Sequence, residues 1–258
     1  MLENNVYQRG DAAGERNEAP PHRVSLAPYC IDRTEVTVGR YRACVAEGRC
    51  TVHTTINFPA LPAAEQPFWS SFCNGARTDR DDHPINCVDW AQADTYCRAR
   101  GGRLPTEAEW ELAARGVEAR RFPWGDAAPT PDRVNACDPD CRTATQRPGR
   151  PPPAVALNAS DGAATTAAVG SYPAGASFYG AQDMAGNVME WTADWFGPYG
   201  AIPLTDPTGP LTGTTRVVRG GHWSTSNPAQ LRTTARAEAQ PGFRLATLGF
   251  RCVAAPEM

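Results

Sequence analysis

Hydrophobic positions along the chain come in short runs, broken by glycine, proline and polar clusters. Residues 1–36 read as extended segments. Val24 to Ile31 (VSLAPYCI) is apolar-rich, and Glu35-Val36 continues it into Thr37. From Thr37 the apolar spacing turns helical, with Val38, Tyr41, Ala43 and Val45 ahead of a stop at Gly48. Residues 51–82 read as a loop anchored by Phe68 and Trp69, and His83 to Val88 as a short strand. Asp89 caps the next helix, with Gln92 as its box partner, and Trp90, Ala93 and Cys97 fall on one face before Gly101-Gly102. Thr106 to Glu109 is a second capping box behind Pro105, opening a helix through Arg115 to Gly116 with Trp110 on its buried face.

Beyond that helix regular structure thins out. Residues 126–170 are rich in Pro, Ala, Thr and Asp. Residues 171–252 hold short strand-like pieces separated by glycine: Val188 to Trp195, Thr215 to Val218 and Phe250 to Val253. No internal repeat is present. The 146–156 stretch (QRPGRPPPAVA) reads as a surface excursion, so residues 1–258 read as one α+β domain, loop-rich and low in regular structure.

Composition agrees. Glycine (23) and proline (24) make up about 18% of the 258 residues, against a usual share of roughly 12%. Hydrophobic residues at 41% and charged residues at 21% exclude a disordered tail, and no run of 18 apolar residues predicts a membrane span. A net charge of -3 argues against a nucleic-acid partner. All 25 basic residues are arginine, which excludes Schiff-base or general-base lysine chemistry.

The nine cysteines are Cys30, Cys44, Cys50, Cys73, Cys87, Cys97, Cys137, Cys141 and Cys252. In a loop-rich chain they predict disulfides and an oxidising, extracytoplasmic compartment. A zinc site would need paired close spacings. Here the one tight pair is Cys137 with Cys141, and His22, His53, His83 and His222 are scattered. An odd count leaves at least one thiol free or paired between chains. The polar opening Met1-Leu2-Glu3-Asn4-Asn5 is no signal peptide, so export predicts a leader absent from this sequence.

The order of several long motifs is specific. His83-Pro84 precedes Val88-Asp89-Trp90, then Tyr96-Cys97, then Gly102-Arg103-Leu104-Pro105-Thr106-Glu107-Ala108-Glu109-Trp110-Glu111. Phe122-Pro123-Trp124-Gly125-Asp126 follows, then Asp183-Met184-Ala185-Gly186-Asn187-Val188-Met189-Glu190-Trp191-Thr192, Arg219-Gly220-Gly221 and Leu248-Gly249-Phe250-Arg251-Cys252. Together these resemble the formylglycine-generating enzyme, or sulfatase-modifying factor, family from about residue 6 to residue 253. The resemblance implies the family's variant of the C-type-lectin-like fold. That family spans sulfatase-activating oxidases, sulfoxide synthases, pyoverdine-maturation proteins and retroelement variable proteins, so the fold leaves function open.

Formylglycine generation uses two cysteines just after the Gly-Gly-Ser segment, which hold copper(I). Soft thiolates suit that ion. In this chain the first position falls on Thr225 and the second near Pro228 to Gln230. No cysteine lies between Cys141 and Cys252, and His222 stands where the serine usually follows Gly-Gly. No copper is expected. The three-histidine iron set of the sulfoxide synthases has no matching H-x3-H spacing. His222, Trp223, Ser224 and Thr225 remain as cleft candidates, with Trp223 beside Ser226 and Asn227 suited to adaptable recognition. A Ser-His-Asp reading through Ser224 or Ser226 has no motif support.

The resemblance also implies structural calcium, bound by side-chain and carbonyl oxygens of loops. One family site maps to Asp183, the carbonyls of Gly186 and Val188, and Glu190. The other maps to Asn135, the Ala136 carbonyl, Asp161 and the Ala163 carbonyl. It further implies a disulfide between Cys97 and Cys252, closing a long loop. A second family bridge maps to Ala114 and Thr233, where both cysteines are missing. Cys137 and Cys141 form a plausible local pair. Connectivity among Cys30, Cys44, Cys50, Cys73 and Cys87 stays open, with Cys50 to Cys73 the first expectation.

The expectation is therefore a calcium-stabilised, disulfide-bonded bacterial member of the family, secreted, periplasmic or lipid-anchored. It lacks the copper pair and binds a peptide, glycan or protein partner in the inherited cleft. The alternatives are a non-heme metal-dependent oxidoreductase with a different substrate, and a ligand-binding variable protein of a diversity-generating retroelement.

Overall fold

The computed structural model describes Leu2 and residues 5–256. Met1, Glu3 and Asn4 of the polar opening lie outside the described residues. Among the described residues, fourteen short α-helices and strands carry the fold. They run β1 (Asn5–Arg9), β2 (His22–Leu26), β3 (Cys30–Ile31), α1 (Val38–Ala46), α2 (Gln66–Ser70), α3 (Trp90–Ala99) and α4 (Glu107–Arg115). The second half holds α5 (Pro139–Thr145), β4 (Met189–Trp195), β5 (Leu204–Thr205), β6 (Arg216–Arg219), β7 (Arg236–Ala239), β8 (Leu248–Gly249) and β9 (Val253–Ala254).

Three small sheets result, ordered β1-β2-β5, β3-β9 and β7-β6-β4-β8. The central β4 pairs antiparallel with β6 and parallel with β8. Its partners lie far apart in the chain, so the C-terminal motif closes onto the middle of the sequence. The architecture is mixed α/β, and its loop-rich character with short elements is what the glycine and proline content predicts.

Both long helices start where the capping boxes place them. Asp89 accepts from the Gln92 N–H while the Gln92 side chain accepts from the Asp89 N–H. Thr106 and Glu109 do the same for α4. All nine residues of α4 are buried, although three of them are glutamates. Burial on that scale requires a partner for every charge. Glu107 pairs with Arg9 and Arg236, Glu109 with Arg103, and Glu111 with Arg115 and Arg219. Trp110 and Leu112 from α4 pack with Tyr7, Val24 and Leu26 of β1 and β2. A second core joins Tyr41, Tyr96, Leu104, Trp191, Leu248 and Phe250.

Four disulfides join Cys44–Cys50, Cys73–Cys87, Cys97–Cys252 and Cys137–Cys141, and Cys30 is free. The expected Cys50 to Cys73 pairing is therefore incorrect. After α1 the chain reverses at Gly48 (φ +70°), where glycine adopts a left-handed conformation freely, and the Cys50 N–H returns to the Cys44 carbonyl. Cys87 takes a left-handed φ of 56°, and Asn86 clamps the Cys73 loop by accepting from the Asn74 N–H and donating to the Phe72 carbonyl.

That same turn corrects the strand expected over 83–88. The segment pairs with loops, Ile85 N–H to the Val36 carbonyl and Cys87 N–H to the Leu245 carbonyl, so no ladder forms. The expected loop at 51–82 contains α2, preceded by a 3-10 turn at Ala63–Glu65, and the Pro- and Asp-rich 126–170 stretch contains α5. Among the described residues no helix is long and apolar enough to cross a membrane.

Candidate functional site

Strand β6 ends at Arg219, and Gly220-Gly221 carry the chain into the segment where the copper pair would sit. Both glycines have positive φ, +100° and +68°. A Cβ on Gly220 would press the Trp110 ring, and one on Gly221 would lie 2.9 Å from Leu231. Glycine is needed here for close approach as well as for the turn. A tight loop follows. The Thr225 N–H donates to the His222 carbonyl, and the Thr225 hydroxyl oxygen accepts from the His222 N–H, both at 2.9 Å. Thr225 thus closes the loop from a buried position.

Trp223 is fully buried, which corrects its reading as a recognition residue. Its indole N–H donates to the Ala246 carbonyl at 3.1 Å, and its ring packs on Phe72 and the Cys137–Cys141 disulfide. It lies beneath the site. His222 and Ser224 stay half-buried. His222 lines a cavity of about 100 Å³ with Glu15, Gly221, Thr225, Gln230 and Arg236.

His222 Nδ1 accepts from the Ser224 N–H at 3.2 Å and lies 3.1 Å from the Ser224 hydroxyl. The ring proton then resides on Nε2. Burial pushes the imidazole down to about 4, so it is neutral at pH 7. The contact does not make a Ser-His-Asp set. The nitrogen facing the serine already accepts a backbone proton, no carboxylate contacts the ring among the described residues, and so weak a base is poorly matched to neutral pH.

The four histidines stay apart. His22 meets Tyr199 edge-on, His83 contacts Thr166, and His53 is exposed. Among the described residues no three His, Cys, Asp or Glu side chains group as a metal site would. Cys30, the free thiol, lines a different cavity with Cys97, Cys252 and Arg100.

The two candidate calcium sets lie side by side. Asn187 N–H donates to the Asn135 carbonyl, and a Cβ on Gly186 would lie 2.1 Å from that same oxygen. In the Asn135 set, Asn135 Oδ1 is buried without a partner. Asp161 accepts from the Ala136 and Ala163 N–H groups, and burial with neighbouring Asp138 pushes it up to about 7. An orphaned amide oxygen and a carboxyl short of positive charge fit a hard cation.

The Asp183 set fits less well. Glu190 already gives both oxygens to Arg251 and one to the Trp110 indole. The oxygens in want of a partner belong to Glu35, which the sequence reading missed. Glu35 is fully buried, no donor from another side chain or backbone N–H among the described residues reaches either carboxylate oxygen, and burial of this acid pair raises both. Its sequence signal was a glutamate inside an otherwise extended apolar segment, Thr34-Glu35-Val36.

With this geometry in place, the sequence matches the Sulfatase-modifying factor enzyme 1-like domain over residues 4–256. It is 39% identical to the formylglycine-generating enzyme of Streptomyces coelicolor, covering 95% of this chain and 85% of that protein. It is 36% identical to that of Thermomonospora curvata, covering 95% and 88%. Among solved structures it is similar to PvdO from Pseudomonas aeruginosa, with a TM-score of 0.72, 25% identity and coverage of 99% and 93%. Variable protein 1 of Treponema denticola shares the fold, with a TM-score of 0.71, 23% identity and coverage of 99% and 94%.

Proposed function

The chain belongs to the sulfatase-modifying factor family, and from that membership we propose that it is a binding module rather than a sulfatase-activating oxidase. Its cleft takes a peptide, glycan or protein partner without oxidising it. The observation that carries this reading is the 222–230 segment. Thr225 stands at the first thiolate position and is committed to closing the loop. No cysteine occurs from residue 142 to 251, and the free thiol of Cys30 opens on another cavity. Holding copper(I) takes a pair of soft ligands, and this cleft offers oxygen and one weakly basic imidazole.

Four disulfides support an extracytoplasmic location, because reducing compartments do not sustain them. The likeness to the Treponema denticola variable protein speaks to fold alone. Structural calcium belongs to the same proposal. Asn135, Asp161 and the Ala136 and Ala163 carbonyls hold one ion, which supplies the positive charge that this loop cluster lacks. A second ion at Asp183 would engage the Gly186 and Val188 carbonyls, with Glu190 kept by Arg251.

The test is direct. The purified chain is loaded with copper(I) and incubated with a sulfatase-motif cysteine peptide under oxygen. The expected result is an unconverted peptide by mass spectrometry and no stoichiometric copper retained. Conversion of the cysteine to its aldehyde, or tight copper at one equivalent, overturns the proposal.

A further inference from the structure

On the side of α4 facing β1 and β2 lies a cavity of about 290 Å³ that the cleft chemistry does not use. Arg9, His22, Glu107, Trp195, Tyr199 and Arg236 line it. Of these, only Arg236 also borders the His222 cavity.

Charge in the buried cluster behind its wall does not balance. Arg9 and Arg236 both pair with Glu107, at 2.5 and 2.6 Å. Arg219 reaches Glu107 at 3.4 Å and Glu111 at 2.7 Å, and Arg115 shares Glu111. Four buried guanidinium groups thus divide two carboxylates. Asp194 is close by, and burial next to Glu107 pushes it up to about 7, so it offsets only part of the excess. Buried charge left uncompensated is costly, and an anion in the cavity would relieve it.

Among the described residues that line the cavity, two polar atoms have no partner. Arg9 is 3% exposed and its Nε–H donates to nothing. His22 is 4% exposed, and its Nε2 is equally unpartnered. Nδ1 of His22 lies 3.1 Å from the Pro20 carbonyl and therefore carries the ring proton. Nε2 is left as an acceptor, and burial keeps the ring neutral. The Tyr199 ring forms the wall between them. It meets His22 edge-on at 5.0 Å, with the Arg9 and Arg236 guanidinium carbons 4.5 and 3.9 Å from its centre.

We propose that this cavity binds an acidic monosaccharide, a sugar ring that carries a carboxylate. Each requirement has its group. Arginine recognises the carboxylate. The His22 Nε2 accepts from a ring hydroxyl. Pro198, Pro207, Pro210 and the edge of Trp195 offer apolar surface to the ring, and the volume accommodates one sugar unit.

The full chain is titrated with glucuronate, glucose and inorganic phosphate by calorimetry. Glucuronate is expected to bind saturably, with glucose and phosphate about tenfold weaker or more. Thr208→Trp, at the exposed rim, is expected to abolish binding while circular dichroism stays unchanged. His22→Phe is expected to weaken it. Absence of saturable binding overturns the proposal. So does glucose binding as well as glucuronate, since the charge then plays no part, or phosphate doing so, since the ring then plays none. Undiminished binding in both variants places the ligand elsewhere. None of these outcomes depends on copper or on the His222 cleft.

Discussion

Arg251 lays its guanidinium across the Glu190 carboxylate, Nε to Oε2 at 2.7 Å and Nη2 to Oε1 at 2.8 Å, with both side chains buried. The remaining donors reach the carbonyls of Asp32, Arg33 and Gln182. The Trp110 indole N–H completes the carboxylate. One ion pair therefore ties β4, the C-terminal segment, α4 and the turn after β3 together. Glu190→Ala would leave the guanidinium buried without its counter-charge. A loss of about 3–5 kcal/mol is expected, as is usual for breaking one side of a buried pair. Glu190→Gln, which keeps an acceptor for Trp110, is expected to lose less. Urea unfolding of the two variants checks the order. Equal stability of Glu190→Ala and the parent would contradict it.

The disulfides make a second set of expectations. Native protein is expected to take up one alkyl group, at Cys30, and nine after reduction and unfolding. Cys97–Cys252 spans 155 residues, and Cys137–Cys141 spans 4. In the chain-entropy description a loop of the first size contributes about 5 kcal/mol and a very short one far less. Replacing Cys97 and Cys252 by alanine should lower the melting temperature much more than replacing Cys137 and Cys141. Peptide mapping by mass spectrometry checks connectivity independently.

How legible was this structure beforehand? Local signals carried well where one chain segment satisfies itself. The Asp89–Gln92 and Thr106–Glu109 boxes mark helix starts through atoms three residues apart. Legibility failed where the partner is remote. Cys87 reaches Cys73 because a left-handed turn and two asparagines bring it there, and no spacing rule encodes that. Trp223 read as a recognition candidate because its neighbours are polar. Its indole is instead satisfied by Ala246, 23 residues on. Glu35 looked like part of a strand, whereas its carboxylate meets Asp183 and Arg251 only after folding. The helix Pro139–Thr145 hid within a Pro- and Asp-rich stretch, although Asp138 caps it through the Cys141 N–H. The loss of the thiolate pair, by contrast, was readable from the sequence because an absent residue type needs no geometry.

Asp161 offers the sharpest solution test of the calcium proposal. Its carboxyl is held at about 7 in the folded chain, against an ordinary value of 3.8. A raised acid stabilises the fold while protonated. That contribution is complete below the ordinary value and is lost as pH rises towards 7. In chelator, the parent's melting temperature is therefore expected to fall relative to that of Asp161→Asn between about pH 4 and pH 7, while His222, held down to about 4, contributes the opposite slope in both proteins. Asp194, also near 7, adds to the same slope and lies outside both calcium sets. Calcium favours the ionised carboxylate, so saturating calcium should flatten or reverse the Asp161 part and leave the Asp194 part. At a hundredfold excess over its dissociation constant the ion would add about 2.7 kcal/mol. Asp161→Asn should flatten the slope in chelator and reduce the gain from calcium at neutral pH. Thermal melts of both proteins across this range, with and without calcium, read out all four arms. A calcium response that survives Asp161→Asn undiminished would remove this carboxylate from the site.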